Sequence, residues 1–226
     1  HLDFMWGFQG VGHSKTLTGL PFHGEAAMID DTYLTGKVSV ESHPFVEHFR
    51  FVHALEDENT VAKQTIPAPA QFLEQMIMPF ALKNTRKYYK FTEELVEDIA
   101  QGYQKVIADL YAAGCRNLQL DDCSWGMLVD PRACELFGTD MGGLEKIKEQ
   151  LLNINNLAIA KAPEDLVITT HVCRGNFHST YASSGAYDGV AKTLFARENV
   201  SAYYLEFDDE RSGGFEPLAE VSGDKK

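Results

Sequence analysis

The 226-residue sequence lacks most of the features that place a protein in a membrane, on nucleic acid or inside a disulfide scaffold. No apolar run comes near the ~18 residues that span a bilayer. Basic residues are scarce: 20 Lys and Arg stand against 33 Asp and Glu, a formal net charge of −13. A surface of that sign repels phosphate backbones, so nucleic acid is not an expected partner. There are only four cysteines, Cys115, Cys123, Cys134 and Cys173, and their spacing is not that of a disulfide-stapled domain. The opening His1-Leu2-Asp3-Phe4 has no basic stretch leading into an apolar one. The expectation is a chain without a signal peptide, with reduced thiols, in a cytoplasm.

What is present is a regular alternation. Short β-branched, apolar runs at 36–40, 62–66, 117–121, 166–173 and 202–207 read as five strands. Between them lie segments of helical period. The clearest, 93–113, repeats Leu95, Ile99, Tyr103, Val106, Ile107 and Leu110 mostly at three- and four-residue spacing, which gives one buried stripe. Thr92 suits its N-cap, Glu93 and Glu94 suit its positive start, and Gly114 suits its stop. Further helices are expected at 144–159 and 190–197.

Helices alternating with strands imply a parallel sheet with helical crossovers, an α/β class. A doubly wound sheet and a barrel satisfy five strands equally. Polar residues recur at successive strand ends: Asp121 and Asp122, His171 and Cys173, Glu206 and Asp208. Convergence of three strand ends on one mouth favours a (β/α)8 TIM-type barrel, seen in part, with residues 1–226 as one domain.

The sharpest motif is Thr169-Thr170-His171-Val172-Cys173. On a strand, side chains at i and i+2 share a face, so His171 and Cys173 point the same way. Imidazole and thiolate are good zinc ligands, although a packed His beside a core Cys would give the same pair. In Ala202-Tyr203-Tyr204-Leu205-Glu206-Phe207 a carboxylate interrupts an apolar run. Buried, Glu206 needs a proton, a metal or a cation, with Arg174 and Arg211 available as the cation. A His-x-His pair, typical of hydrolytic metal barrels, is missing. A zinc-bound thiolate favours holding a second thiolate over making hydroxide, which points to alkyl transfer to sulfur.

These residues resemble the catalytic barrel of the cobalamin-independent methionine synthase family, and the likeness runs in order from about Lys63 to Pro217. The resemblance implies that His171, Cys173 and Glu206 bind Zn2+. It implies that Gln119-Leu120-Asp121, with Asp122 beside it, supplies the acid that contacts the homocysteine amine. The family's fourth ligand, a cysteine, would fall beyond Lys226, and its second amine-binding acid before His1. The barrel is therefore expected to be incomplete at both ends. Gly24-Glu25 matches that second acid's motif nominally but falls late in the chain.

The family's pterin-stacking stretch corresponds here to Thr65-Ile66-Pro67-Ala68-Pro69, with Phe72 or Trp125 as possible aromatic faces. Methyltetrahydrofolate is the donor implied. Methylcobalamin, a coenzyme M-type alkyl transfer and a non-catalytic zinc or amino-thiol binder stay open. Oligomeric state is not legible.

Overall fold

The computed structural model describes residues 2–15 and 19–225, so His1 of the amino-terminal reading lies outside the described residues. A short helix α1 (Leu2–Met5) leads into β1 (Gln9–Ser14), a small hairpin of β2 (Leu20–Phe22) and β3 (Glu25–Ala27), then β4 (Asp31–Ser39) and α2 (Pro44–His53). The alternating region follows: β5 (Gln64–Pro67), α3 (Pro69–Ile77), α4 (Pro79–Thr85), α5 (Thr92–Ala112), β6 (Asn117–Asp121), α6 (Cys123–Leu128), α7 (Ala133–Leu136), α8 (Met141–Ile159), β7 (Val167–His171), α9 (Ala191–Arg197) and β8 (Ala202–Tyr204). Among the described residues, no helix is long and apolar enough to cross a membrane.

The protein is mixed α/β with a four-stranded parallel sheet ordered β5-β6-β7-β8. Four strands, not five, make this sheet. The expected strand at 36–40 belongs to β4, which pairs antiparallel with β1 in a separate two-stranded sheet. Its burial explains the difference: Thr32, Leu34 and Val38 are buried while Asp31, Thr35 and Ser39 are exposed. Such one-sided alternation marks an antiparallel strand, whereas parallel strands covered on both faces are apolar throughout. Its partner, Gln9-Gly10-Val11-Gly12-His13-Ser14, is too polar and glycine-rich to signal a strand.

Helices α3, α5 and α8 pack against one another. All six apolar positions of the predicted α5 stripe are at most 2% exposed. Each such side chain contributes about 1.5–3 kcal/mol relative to exposure. Helix α5 starts at Thr92, with Phe91 at the N-cap. Gly114 ends it at φ +107, and a Cβ there would lie 2.5 Å from His53 Nε2. Helix α8 begins three residues before the expected start because Asp140 caps it, its Oδ1 accepting from the Gly143 N–H at 2.8 Å.

His43, just before α2, is buried. Its Nε2–H donates to the Phe4 carbonyl at 2.9 Å, and its Nδ1 accepts from the Phe45 N–H at 3.2 Å, capping α2.

Candidate metal centre

Strands β6, β7 and β8 end level with one another: Asp121 pairs with His171, and His171 with Tyr204. Past these ends lie Cys173 and Glu206. Neither belongs to a strand, although both were expected within one. The alternation nonetheless continues, because the Val172 N–H bonds the Tyr204 carbonyl at 3.1 Å and Val172 is fully buried. His171 and Cys173 are left on the other face.

The ligand atoms of His171, Cys173 and Glu206 all lie within 4.8 Å of one another. The His171 Nδ1–H donates to the Tyr204 carbonyl at 2.9 Å, which fixes the ring and leaves Nε2 as the nitrogen that could ligate a metal. The Cys173 sulfur accepts from the Gly175 N–H at 3.2 Å. Glu206 accepts from Arg211 Nη2 at 2.6 Å through Oε2, and its N–H meets the Tyr187 hydroxyl at 3.3 Å. Arg211, not Arg174, is thus its cation. Arg174 is fully buried, over the Tyr187 ring and bonded to the Gly185 carbonyl at 2.7 Å.

The electrostatics match this geometry. A hydrogen bond from the Cys123 thiol, then one from His171, holds the Cys173 thiol well below the usual range. Bonding to Cys173 lifts His171 to about 9. Nitrogen, sulfur and carboxylate oxygen are the donor set of a zinc site, and the three are gathered closely enough to share one ion.

The two adjacent acids at the end of β6 and the start of α6 part company. Asp121 lines a cavity of about 200 Å³ with Asp3, Phe45, Thr65, Ile66 and Pro67, and accepts from Gln119 Nε2 at 2.8 Å. Asp122 is fully buried and points inward. Its Oδ1 caps α6 through the Ser124 N–H at 3.2 Å, and its Oδ2 accepts from Asn155 Nδ2 at 2.8 Å. Asn155 Nδ2 also donates to Glu198 Oε1 at 2.8 Å, and its Oδ1 accepts from the Ala70 N–H at 2.8 Å. Burial raises all three carboxylates of this region: Asp122 to about 6, Glu74 to about 7 and Glu198 to about 8.

Other sequence candidates lie elsewhere. Phe72 is fully buried, edge-on to Phe8, and Trp125 is fully buried, so neither presents a stacking face. Glu25 sits in β3 and pairs with the exposed His178 at 3.4 Å. Asp208 turns at φ +61, its N–H bonding the Gly213 carbonyl. Sequence reasoning passed over Asp3, Cys123 and Asn155, whose places depend on register and packing that spacing does not encode.

Fold and site together define a parallel α/β chain that gathers an imidazole, a thiol and a carboxylate just past the C-terminal edge of its sheet. No protein-family model matches the chain. It is similar to two uncharacterized curated proteins of Bacillus subtilis (strain 168). YxjH is 38% identical over 218 residues, covering 96% of this chain and 56% of YxjH. YxjG is 36% identical over 225 residues, covering 98% and 57%. The chain therefore spans little more than half the length of these relatives.

Among solved structures it is similar to a candidate vitamin-B12 independent methionine synthase from Listeria monocytogenes. That likeness is 32% in identity with a TM-score of 0.70, over 100% of this chain and 58% of the other. It also resembles a B12-independent methionine synthase from Shewanella sp. W3-18-1, solved in complex with selenomethionine. There the identity is 16% and the TM-score 0.56, over 97% and 55% of the two chains, a likeness of fold alone.

Proposed function

We propose that the chain carries the zinc-binding part of an S-methyltransferase of the cobalamin-independent methionine synthase type, acting in a cytoplasm. The (β/α)8 barrel belongs to this reading, with residues 1–226 as one incomplete barrel domain. Its support is the strand order β5-β6-β7-β8, which runs in sequence without the reversal of a doubly wound sheet. The greater length of the relatives leaves room for further strands.

The observation that carries the function is the meeting of His171, Cys173 and Glu206 within 4.8 Å. These residues would hold Zn2+, which when bound lowers the pKa of a substrate thiol and supplies a thiolate at neutral pH. Asp121 orients homocysteine by a charge-assisted hydrogen bond to its ammonium, and Asp3 adds a second carboxylate to the same cavity. The amine role falls to Asp121 and not to Asp122, which acts through the capped start of α6. The homocysteine sulfur attacks the methyl carbon of a methyltetrahydrofolate-class donor. The carbon–nitrogen bond breaks, and the nitrogen keeps the electron pair and takes up a proton.

The bond between Glu206 and Arg211 favours a second reading, a metal-free ion pair beside a packed His and Cys. Zinc analysis together with homocysteine methylation separates the two. The expected result is stoichiometric zinc and methyl transfer from methyltetrahydrofolate but not from methylcobalamin. A zinc-free protein that methylates nothing supports the ion pair. Stoichiometric zinc without turnover supports a non-catalytic binder.

A further inference from the structure

Strand β6 alternates: Leu118 and Leu120 are fully buried, while Asn117, Gln119 and Asp121 are half-buried on the opposite face. Gln119 and Asp121 are therefore neighbours on one side of the sheet, and the Gln119 Nε2–H donates to Asp121 Oδ1 at 2.8 Å. The other end of the same amide is held as well. Lys63, immediately before β5, donates from Nζ to Gln119 Oε1 at 2.9 Å. The Lys63 ammonium also lies 4.3 Å from the centre of the Tyr204 ring at the end of β8, a cation–π contact that draws it across the sheet. The two ends of a carboxamide have nearly the same shape but opposite roles, the oxygen accepting and the nitrogen donating. An ammonium can only donate, so Lys63 commits the oxygen to itself and turns the N–H toward Asp121. The cation meets the carboxylate through a neutral amide. A direct lysine pair would compete with an incoming ammonium for Asp121. The relay fixes the Asp121 oxygen without setting a lysine on it, at the cavity Asp121 shares with Asp3.

We infer that Gln119 is a positioning residue for Asp121, that Lys63 acts through Gln119, and that the two together set the preference for a thiol bearing an ammonium over the same thiol without one. This rests on the amine-binding role proposed above for Asp121. Held by Lys63, the amide presents a donor to the carboxylate and keeps it aimed. Without Lys63 the amide is free to turn its oxygen toward Asp121, where two acceptors repel one another and the carboxylate swings away. Loss of either side chain therefore weakens recognition of the amine while the thiol end of the site keeps its own residues.

The test is calorimetric titration of the full chain, with zinc present, using homocysteine and separately γ-mercaptobutyrate, the same thiol acid without the amine. Gln119→Leu and Lys63→Met should each weaken homocysteine binding roughly tenfold and γ-mercaptobutyrate binding by less than about twofold, with unchanged melting curves. Lys63→Arg, which keeps a donor-only cation, should restore most of the homocysteine affinity. In the Gln119→Leu chain a further Lys63→Met should remove nothing more, because its route to Asp121 is already gone. Lys63 is exposed, so Lys63→Met carries the test should Gln119→Leu fail to fold. Unchanged homocysteine affinity in the folded variants, equal losses for both thiols, or losses that add in the double variant overturn the proposal. Asp121→Asn shows which claim has failed. If it discriminates between the two thiols and these variants do not, the positioning role alone falls. If it treats both thiols alike, or the parent chain binds neither, the amine-binding reading falls and takes the positioning role with it.

Discussion

The imidazole of His171 is tied to the carbonyl oxygen of Tyr204, Nδ1 to oxygen at 2.9 Å, across the last two strands of the sheet. The strand pairing that builds the fold therefore also aims a candidate ligand. Because a backbone acceptor sets the ring, the orientation survives substitution of the Tyr204 side chain. Tyr204→Ala is expected to leave zinc content unchanged, whereas His171→Ala should lower zinc affinity by at least the ~10–100-fold seen for supporting residues of metal sites.

Arg211 holds one oxygen of Glu206 and leaves the other for an ion. Arg211→Met should weaken zinc binding by about 10–100-fold without unfolding the chain. Competition with a chromogenic chelator measures this. Tighter binding in the variant would show that Arg211 competes with the metal.

Asp121 and Asp3 share one cavity. Asp121→Asn should cost ~1–3 kcal/mol in homocysteine binding while leaving zinc in place, and Asp3→Asn should act in the same direction. Calorimetry with homocysteine and with a thiol lacking the amine checks the assignment. Equal loss for both ligands would remove the carboxylates from the amine.

Asn155 satisfies Asp122, Glu198 and the Ala70 N–H at once. Asn155→Ala leaves two buried carboxylates and a backbone donor short of a partner, so a loss of about 2–4 kcal/mol is expected in denaturant unfolding. A change under ~0.5 kcal/mol, the range of ordinary surface substitutions, would show that the network adds nothing.

Burial, reinforced by the Asp122 charge, pushes Glu198 from 4.5 up to about 8. Between those values the folded chain binds a proton that the unfolded chain has released. The linkage sign is therefore a loss of stability as pH rises through this window, levelling off above it. Asp122 and Glu74 add slopes of the same sign. Glu198→Gln keeps an acceptor for Asn155 and removes the titration, so stability near pH 8 should rise by roughly 1–3 kcal/mol relative to pH 5. Parallel pH–stability curves for the two proteins would contradict the assignment.

Much of this arrangement was legible in the sequence where periodicity and chemistry coincide. The α5 stripe and β6 match their expected positions because a long amphipathic period and a bounded apolar run leave little choice. His171, Cys173 and Glu206 stood out because two soft ligands at i and i+2, with a carboxylate in the next apolar run, have few structural uses. Strand ends were less legible, since the ladder stops at His171 and Tyr204 while the apolar character continues. The β1–β4 pair was hidden because its partner strand has no hydrophobic alternation. Asp121 and Asp122 read alike in sequence, and only the α6 cap and Asn155 send one inward.

The most direct measurement is zinc stoichiometry by elemental analysis of the purified chain beside Cys173→Ser and Glu206→Gln. One zinc per chain, lost on substitution of Cys173 and reduced on substitution of Glu206 with the fold intact, is the predicted result. Zinc content equal in all three, or absent from the parent chain under zinc-replete conditions, would contradict a shared ion at these residues.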